Sequence, residues 1–244
     1  MSKNSFEKVV RAWLKDKVQY VKQGTYSVYA LQVDNHLLPY FSNVNDITEE
    51  VCQAFILQKI GQGLSLKTIK DLIITLKMIQ RFGVKHFGWQ YVELDLKYPT
   101  QCKSPAIEVL PRECQSKIMK HVREHFTFRN LGILICLSTG MRIGELCALK
   151  WKDVDWVEGV IRVSRSLQRI YIIEADGSRT TKVVESTPKT SNSLREIPLS
   201  RELKRMLKPF CKVVNPEYYV LTNEPNPSLT PRVYFEVVFG HFEE

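Results

Sequence analysis

The chain has 244 residues, 44% of them hydrophobic and 25% charged, and this composition excludes a disordered or fibrous protein. The formal net charge of +9 at pH 7 favours a polyanionic partner, with nucleic acid ahead of an anionic membrane surface. No apolar run approaches the roughly 20 residues of a membrane-spanning helix, and the N-terminus lacks the apolar core of a signal peptide. We therefore expect a cytoplasmic protein with no membrane partner.

The N-terminal third of the chain carries apolar residues at helical spacing in four segments. The spacing predicts a first helix over 5–21, ended by Gly24, and a second helix that begins after Ser27. Thr48 and Ser65 are expected to cap the third and fourth helices, because each hydroxyl residue stands just before an apolar helical pattern. These four helices, joined by short connections, predict a helical bundle.

A change of pattern separates this bundle from the rest of the chain. Between Glu93 and Arg112 the helical spacing is lost and three prolines occur. We therefore predict a helical domain over 1–92, a linker over 93–110 and a second domain over 111–244.

The second domain mixes helical and strand patterns. A helix should begin at Pro111, and the apolar segment FRNLGILICLS should form a second helix at the centre of the core. A turn at Thr139 and Gly140 should then precede a short helix through Leu149. Alternating and β-branched residues then predict strands within 159–173, 177–186, 194–200 and 217–223, and helices over 201–214 and 230–240.

Metal and disulfide chemistry find little support in the sequence. The six cysteines include no C-x-x-C pair, which disfavours a zinc knuckle and a disulfide framework, and several lie in apolar helical patterns typical of small buried residues. The segment HVREH, from His121 to His125, matches the short H-x-x-E-H zinc-peptidase pattern. We favour solvated histidines on a helix and expect no metal, with a zinc peptidase as the alternative.

Arg142 lies just after the Thr-Gly turn, where a helix is expected to begin. Helix N-termini favour anions, so an arginine at this place gains nothing from the helix itself, and a bound phosphate would explain it. Glu145, one turn further on, could pair with Arg142 and hold its guanidinium. An ordinary surface ion pair between residues i and i+3 is the alternative.

Two segments resemble motifs of the tyrosine recombinases, the phage integrase family. TGMRIGELCALKWKDVDW resembles the first catalytic box of that family, and TPKTSNSLREIPLS resembles its β-hairpin segment. The first half of the chain, including GLSLKTIKDLIITLKMIQRFG, is similar to the core-binding domain of integrases from phages and conjugative transposons. The first motif match runs through Thr139, Gly140, Arg142, Glu145, Leu146, Leu149, Trp151, Asp153 and Asp155.

The resemblance implies a mainly α fold. A four-helix core-binding (SAM-like) domain would precede an α+β catalytic domain, only part of which is present, with a small antiparallel sheet. The implied activity is site-specific DNA recombination by a mobile element, through a phosphotyrosyl intermediate and without a cofactor or metal. The implied partner is double-stranded DNA, with self-association on it.

The resemblance also assigns roles to residues. Arg142 would stabilise charge on the phosphate, Lys189 would act as general acid, and Glu145 would support Arg142. Basic residues on the helix that follows Ser65 and in the β-hairpin segment would contact DNA phosphates: Lys67, Lys70, Lys77 and Arg195.

The sequence also departs from the family pattern. The family's nucleophilic tyrosine and its His-x-x-Arg box lie downstream of the last matched segment, and this chain contains no His-x-x-Arg. We therefore expect the chain to bind DNA without completing strand cleavage. The alternative is a non-enzymatic DNA-binding protein that occupies recombination sites.

Overall fold

The computed structural model describes residues 5–44, 46–99, 109–173, 178–186 and 194–227. The chain divides into two compact units. We call them the helical unit, residues 1–106 with 171–180, and the mixed unit, residues 107–170 with 181–244. The predicted linker over 93–110 stays a prediction.

The helical unit contains four helical segments, as the sequence predicts. They are α1 (Ser5–Lys17), α2 (Gln23–Gln32) continued by a π-helical turn (Val33–Leu37) and α3 (Leu38–Phe41), α4 (Glu49–Gly61), and α5 (Leu66–Phe87).

The two predicted helix caps are confirmed. The Thr48 hydroxyl accepts a hydrogen bond from the Val51 N–H at 3.3 Å, and the Ser65 hydroxyl accepts one from the Thr68 N–H at 3.1 Å. Each bond satisfies a backbone donor in the first turn that has no partner within the helix.

The predicted boundary between the first two helices is wrong. α1 ends at Lys17 instead of residue 21, and α2 begins at Gln23 instead of after Ser27. Gly24 therefore lies in the first turn of α2, where a glycine is tolerated because the first N–H groups need no partner within the helix.

Large aromatic side chains fill the core of the helical unit. Phe41 is 1% exposed, and its ring centroid lies 5.5 Å from that of Phe6 and 5.1 Å from that of Phe55. Trp13 is also buried, with its ring 5.3 Å from that of Tyr29. Each of these rings removes a large apolar area from water, so this cluster is a main source of stability for the unit.

An extended segment, residues 89–99, follows α5 and lies along α4 and α5; we call it the strap. Its Leu94 side chain is buried, and Trp89 packs so closely on Gly83 that a Cβ built there would lie 2.2 Å from the indole ring. Gln53 of α4 donates to the Lys97 carbonyl and accepts from the Lys97 N–H, both at 3.0 Å. Part of the predicted linker is thus held on the helical unit.

The mixed unit begins with helices and continues with short strands. Its elements are α6 (Arg112–Glu124), α7 (Phe128–Thr139), α8 (Ile143–Cys147), a 3₁₀ turn (Trp151–Asp153), β1 (Val154–Asp155), β2 (Val160–Val163), β3 (Ser166–Ile173), β4 (Arg179–Ser186), β5 (Arg195–Pro198), α9 (Arg201–Leu207) and a second 3₁₀ turn (Lys208–Phe210). The end of β3 from residue 171 and the start of β4 up to residue 180 belong to the helical unit. The predicted fold class, mainly helical with small sheets, is confirmed.

Two small sheets organise the strands. β1, β2 and β5 form an antiparallel sheet in that order, with Val163 of β2 opposite Arg195 of β5. β3 and β4 form a two-stranded sheet of their own. The β2–β5 register therefore fixes the position of Arg195 in the sheet.

Several predicted boundaries in this unit are wrong. The single strand predicted within 159–173 is two strands, β2 and β3, and the helix predicted over 201–214 ends at Leu207. Residues 217–223 form turns, with Tyr219 bridging to Lys150 and to Glu224, because a buried loop satisfies its backbone groups there instead of a full ladder. The helix predicted over 230–240 lies outside the described residues.

Candidate active site and nucleic-acid interface

The Thr-Gly turn ends α7 in a way that its two residues explain. Gly140 has φ 64° and ψ 22°, the left-handed conformation that glycine adopts at helix C-termini, and its N–H donates to the Cys136 carbonyl at 2.9 Å. The Thr139 hydroxyl donates to the Ile135 carbonyl at 2.6 Å and accepts from the Met141 N–H at 3.3 Å. The turn therefore reverses the chain at a fixed point.

Arg142 is the residue that precedes α8, with extended backbone dihedrals of −69° and 145°. Its neighbour Met141 is 6% exposed and anchors the turn in the core, whereas the Arg142 side chain is 72% exposed. The Arg142 N–H donates to Glu145 Oε2 at 2.9 Å. The Arg142 N–H is therefore occupied by the carboxylate, and the helix that follows, α8, has only five residues.

Glu145 is the centre of the site. Its side chain is only 5% exposed, and it receives hydrogen bonds from two arginines. Arg142 Nη1 donates to Oε1 at 2.9 Å, while Arg195 Nη1 donates to Oε1 at 3.1 Å and Nη2 to Oε2 at 2.8 Å. The predicted pair of Arg142 and Glu145 is therefore present, but it belongs to a cluster of three residues around a buried carboxylate, which we call the Glu145 cluster.

The Glu145 cluster keeps its carboxylate ionised. Burial acts to raise the pKa of Glu145, but the hydrogen bonds from Arg195 and from the backbone and side chain of Arg142 outweigh it and lower the pKa to about 2. The same contact raises the pKa of the Arg195 guanidinium. At neutral pH the cluster thus holds one negative and two positive charges.

Close backbone contact fixes α8 beside β3. A Cβ added to Gly144 would lie 2.6 Å from the Ser166 hydroxyl oxygen and 2.9 Å from the Leu167 carbonyl oxygen. A larger residue would push α8 away from the strand, so the glycine after Ile143 lets Glu145 reach its place in the core.

The motif residues that follow α8 hold the backbone in place. Trp151 is 2% exposed and donates from its indole N–H to Asn223 at 3.1 Å. Asp153 accepts from the Lys150 N–H at 2.9 Å and pairs with Arg165. Asp155 accepts from two backbone N–H groups of the following turn, each at 3.0 Å. These contacts hold the chain that leads from α8 into the sheet.

The other predicted site residues fall in different settings. Lys189 lies outside the described residues, so its predicted role as general acid stays a prediction. Lys67 is exposed on α5, Lys70 places its ammonium 5.2 Å from the Tyr98 ring centroid, and Lys77 donates to the Leu94 carbonyl at 3.2 Å. Lys70 and Lys77 therefore contact the strap, and only Lys67 of the three predicted DNA contacts on α5 has no such contact there.

The sequence did not reveal the contact between Arg195 and Glu145. The resemblance placed Arg195 among the DNA contacts, and that role stays a prediction. One sequence feature could have indicated such a contact: Glu145 lies within an apolar helical segment, and a carboxylate that is buried there needs a cation beside it. Nothing in the spacing showed which of the many basic residues would supply it, because Glu145 and Arg195 are 50 residues apart.

His121 and His125 lie at the end of α6 with their rings stacked, 4.4 Å between centroids. Among the described residues, no group of three or more histidine, cysteine or acidic side chains could hold a metal ion. Within the same part of the chain, no helix has the length and apolarity to cross a membrane.

Two family profiles match the chain. The profile of the phage integrase family matches residues 108–238, and that of the phage integrase N-terminal SAM-like domain matches residues 5–60.

Two curated relatives share sequence with this chain. A tyrosine recombinase XerC-like protein of Caldanaerobacter subterraneus subsp. tengcongensis is 35% identical over 157 residues, or 60% of this chain and 39% of the relative. The ICEBs1 integrase of Bacillus subtilis is 26% identical over 179 residues, or 72% of this chain and 46% of the relative. The chain thus spans less than half the length of either relative.

Solved structures share the fold. The Tn1549 transposon integrase, in complex with a circular intermediate DNA, superposes with a TM-score of 0.61 at 19% identity, covering 85% of this chain and 65% of that one. A lambda integrase tetramer bound to a Holliday junction gives a TM-score of 0.61 at 16% identity, covering 97% and 62%. Since the integrase profile alone covers more than half of the 244 residues, this chain belongs to the phage integrase family.

Proposed function

We propose that this chain is part of a site-specific DNA recombinase of a mobile element. It would bind double-stranded DNA and supply Arg142 and Lys189 to a transesterification that proceeds through a phosphotyrosyl intermediate. As a protein that acts on DNA, it would work in the cytoplasm.

The observation that carries this proposal is the geometry of Arg142. Its guanidinium is 72% exposed, yet one of its N–H groups is held by a carboxylate that is 5% exposed. A planar guanidinium fixed at one edge presents its remaining donors in a defined direction, and those donors match two phosphate oxygens.

The proposed chemistry follows from this geometry. As a nucleophile attacks a DNA phosphodiester, negative charge grows on the non-bridging oxygens, and Arg142 would stabilise that charge without having to reorganise. Lys189 would donate a proton to the departing 5′ oxygen. Glu145 would hold Arg142 and would not itself carry a proton, because its pKa of about 2 leaves it ionised at neutral pH.

The excess of positive charge supports duplex DNA as the partner. A chain of net charge +9 gains affinity by releasing counterions from the phosphates it neutralises. The structures of related fold come from integrases in complex with DNA, including one tetramer on a Holliday junction. We extend both properties to this protein, so that several copies would assemble on one DNA site.

The first test is DNA binding by this chain. Fluorescence anisotropy with a labelled duplex, repeated at several salt concentrations, should give an affinity that falls steeply with salt. The Lys67→Ala variant should reduce the slope of log affinity against log salt by about one. Lys8→Ala, which removes an exposed lysine from α1, is the matched control. A wild-type chain that binds no duplex at low salt would refute the proposal.

The second test separates catalysis from simple occupancy of DNA. In any longer form of the protein that carries the tyrosine nucleophile, Arg142→Ala should abolish the covalent protein–DNA product, which denaturing gels detect. Its DNA affinity should stay within a few-fold of wild type, because one phosphate contact among many is lost. If no longer form gives the covalent product, the protein is a non-enzymatic DNA-binding protein instead.

A further inference from the structure

The carboxylate of Glu145 is shared unequally by its two arginines. Arg195 binds both carboxylate oxygens through Nη1 and Nη2, and its side chain is 28% exposed. The Arg142 guanidinium binds a single oxygen through Nη1, while its backbone N–H donates to Oε2, and its side chain is 72% exposed. A two-point contact at the more buried side chain makes Arg195 the principal counter-ion of Glu145.

This division leaves a surplus of charge at one place. The Glu145 cluster contains one carboxylate and two guanidinium groups, so pairing Glu145 with Arg195 leaves one positive charge that no other member of the cluster compensates. That charge lies on Arg142, the exposed member of the cluster. Glu145 therefore orients the Arg142 guanidinium through one hydrogen bond without neutralising it.

The fold fixes Arg195 independently of Arg142. Arg195 lies on β5, where it pairs opposite Val163 of β2, so the antiparallel sheet sets its position. Glu145 is placed from the other side by α8, which packs against β3 through Gly144. The contact between Arg195 and Glu145 thus joins the sheet to the short helix that begins after Arg142.

We propose that Arg195 is a positioning residue for Arg142, which acts by occupying Glu145 and not by contacting DNA. This inference rests on the proposed function, in which Arg142 binds a DNA phosphate. Without Arg195, the carboxylate would be free to take Arg142 in a two-point contact. Arg142 would then turn inward, and both its charge and its donors would be withdrawn from the phosphate.

A double-mutant cycle on this chain tests the proposal. Duplex affinity at low salt is measured for wild type, Arg142→Ala, Arg195→Gln and the double variant. We expect each single change to weaken binding by about three- to five-fold, as for one lost phosphate contact. The double variant should be no weaker than Arg142→Ala alone, because Arg195 acts only through Arg142. Effects that multiply, or an Arg195→Gln variant that binds like wild type, would overturn the proposal.

A second measurement does not depend on DNA. Side-chain NMR of Arg142 reports its order, and the change of its signals on adding inorganic phosphate reports its access to an anion. Arg195→Gln should reduce that response, whereas Arg195→Lys should restore part of it by keeping the charge while losing the two-point contact. An unchanged Arg142 response in folded Arg195→Gln would overturn the proposal.

The two measurements also separate this proposal from the proposed function. If wild type binds no duplex, the proposed function fails, and the NMR comparison alone decides whether Arg195 orients Arg142. If Arg195→Gln does not fold, Arg195→Lys takes its place in both measurements. Arg195→Lys should then lower duplex affinity by less than the loss expected for Arg195→Gln. In a protein that already carries Arg142→Ala, Arg195→Lys should cause no further loss of affinity.

Discussion

The strap and the Glu145 cluster each join distant parts of the chain, but with different chemistry. The strap is held by the buried Leu94 and by contacts to its backbone: neutral Gln53 pairs with both backbone groups of Lys97, Lys77 donates to the Leu94 carbonyl, and Glu49 accepts from the Asp95 N–H. The Glu145 cluster is held by charges, around a carboxylate that is 5% exposed. In the strap the hydrogen bonds go to backbone groups, and at Lys97 the partner is a neutral amide. A buried charge is costly and is better explained where a charge is needed for function.

The largest expected effect in this comparison comes from removing the buried charge. Glu145→Gln would leave two guanidinium groups side by side with no anion between them. Breaking a buried ion pair costs about 3–5 kcal/mol, so we expect the free energy of unfolding of the mixed unit to fall by that amount. Urea unfolding followed by hydrogen exchange, with peptides from each unit read separately, measures the change.

An exposed carboxylate provides the control for this variant. Glu217 accepts from Lys152 at 2.9 Å, and its side chain is 61% exposed. Glu217→Gln should leave the unfolding midpoint unchanged, because ion pairs at the surface contribute little. If the two variants lost stability equally, burial would not distinguish the Glu145 cluster from a surface ion pair.

Lowering the pH should destabilise the Glu145 cluster more than the Gln53 contacts of the strap. The folded-state pKa of Glu145 is about 2, below its ordinary value of 4.5, so its stabilising contribution is present above pH 4.5 and is lost as the pH falls toward 2. The contribution amounts to about 3 kcal/mol. Gln53 does not titrate, so its contacts with Lys97 in the strap have no corresponding loss. Hydrogen exchange at pH 5 and pH 2.5 should therefore show a greater loss of protection in the mixed unit.

The Glu145→Gln variant is also the control for this pH dependence, since it lacks the titrating group. Its mixed unit should lose less stability than wild type between pH 4.5 and 2. Equal losses in the two proteins would mean that other carboxylates cause the acid sensitivity.

The local contacts of the molecule could be predicted from its sequence, whereas the long-range polar contacts could not. The caps at Thr48 and Ser65, the turn at Gly140 and the pairing of Arg142 with Glu145 were all predictable, because each is a local interaction within four residues. The strap and the Arg195 contact were not predictable, since Gln53 and Lys97 are 44 residues apart and Glu145 and Arg195 are 50 apart. The spacing of apolar residues predicts helices and strands, but it does not predict which polar residues distant in sequence will pair.

The misplaced helix ends have a related cause. Gly24 was expected to end a helix because glycine weakens helix interiors, but it lies in the first turn of α2, where that cost is small. Residues 217–223 have the β-branched and aromatic composition of a strand, yet Tyr219 only bridges to Lys150 and Glu224. Trp151 donates from its backbone N–H to the Tyr218 carbonyl and from its indole N–H to Asn223, and these long-range contacts cannot be read from the composition of the segment.

The smallest expected effect comes from the strap. Gln53→Ala removes both hydrogen bonds to Lys97, which are partly open to water, and should cost about 1 kcal/mol locally. The Lys97 N–H donates to Gln53 Oε1. Loss of that acceptor should lower the protection of this amide against hydrogen exchange by roughly five-fold. NMR-detected exchange on the folded protein measures this change residue by residue.

Gln58→Ala is the matched control, because Gln58 lies on the same helix with an exposed side chain. It should leave the exchange of the Lys97 amide unchanged. If Gln53→Ala also left that exchange unchanged, then the buried Leu94 and the Trp89 contact with Gly83 would suffice to hold the strap. If Gln53→Ala instead lowered protection throughout the helical unit, the strap would be part of the cooperative core of that unit. In that case the contrast between a neutral surface contact and a buried charged one would no longer hold.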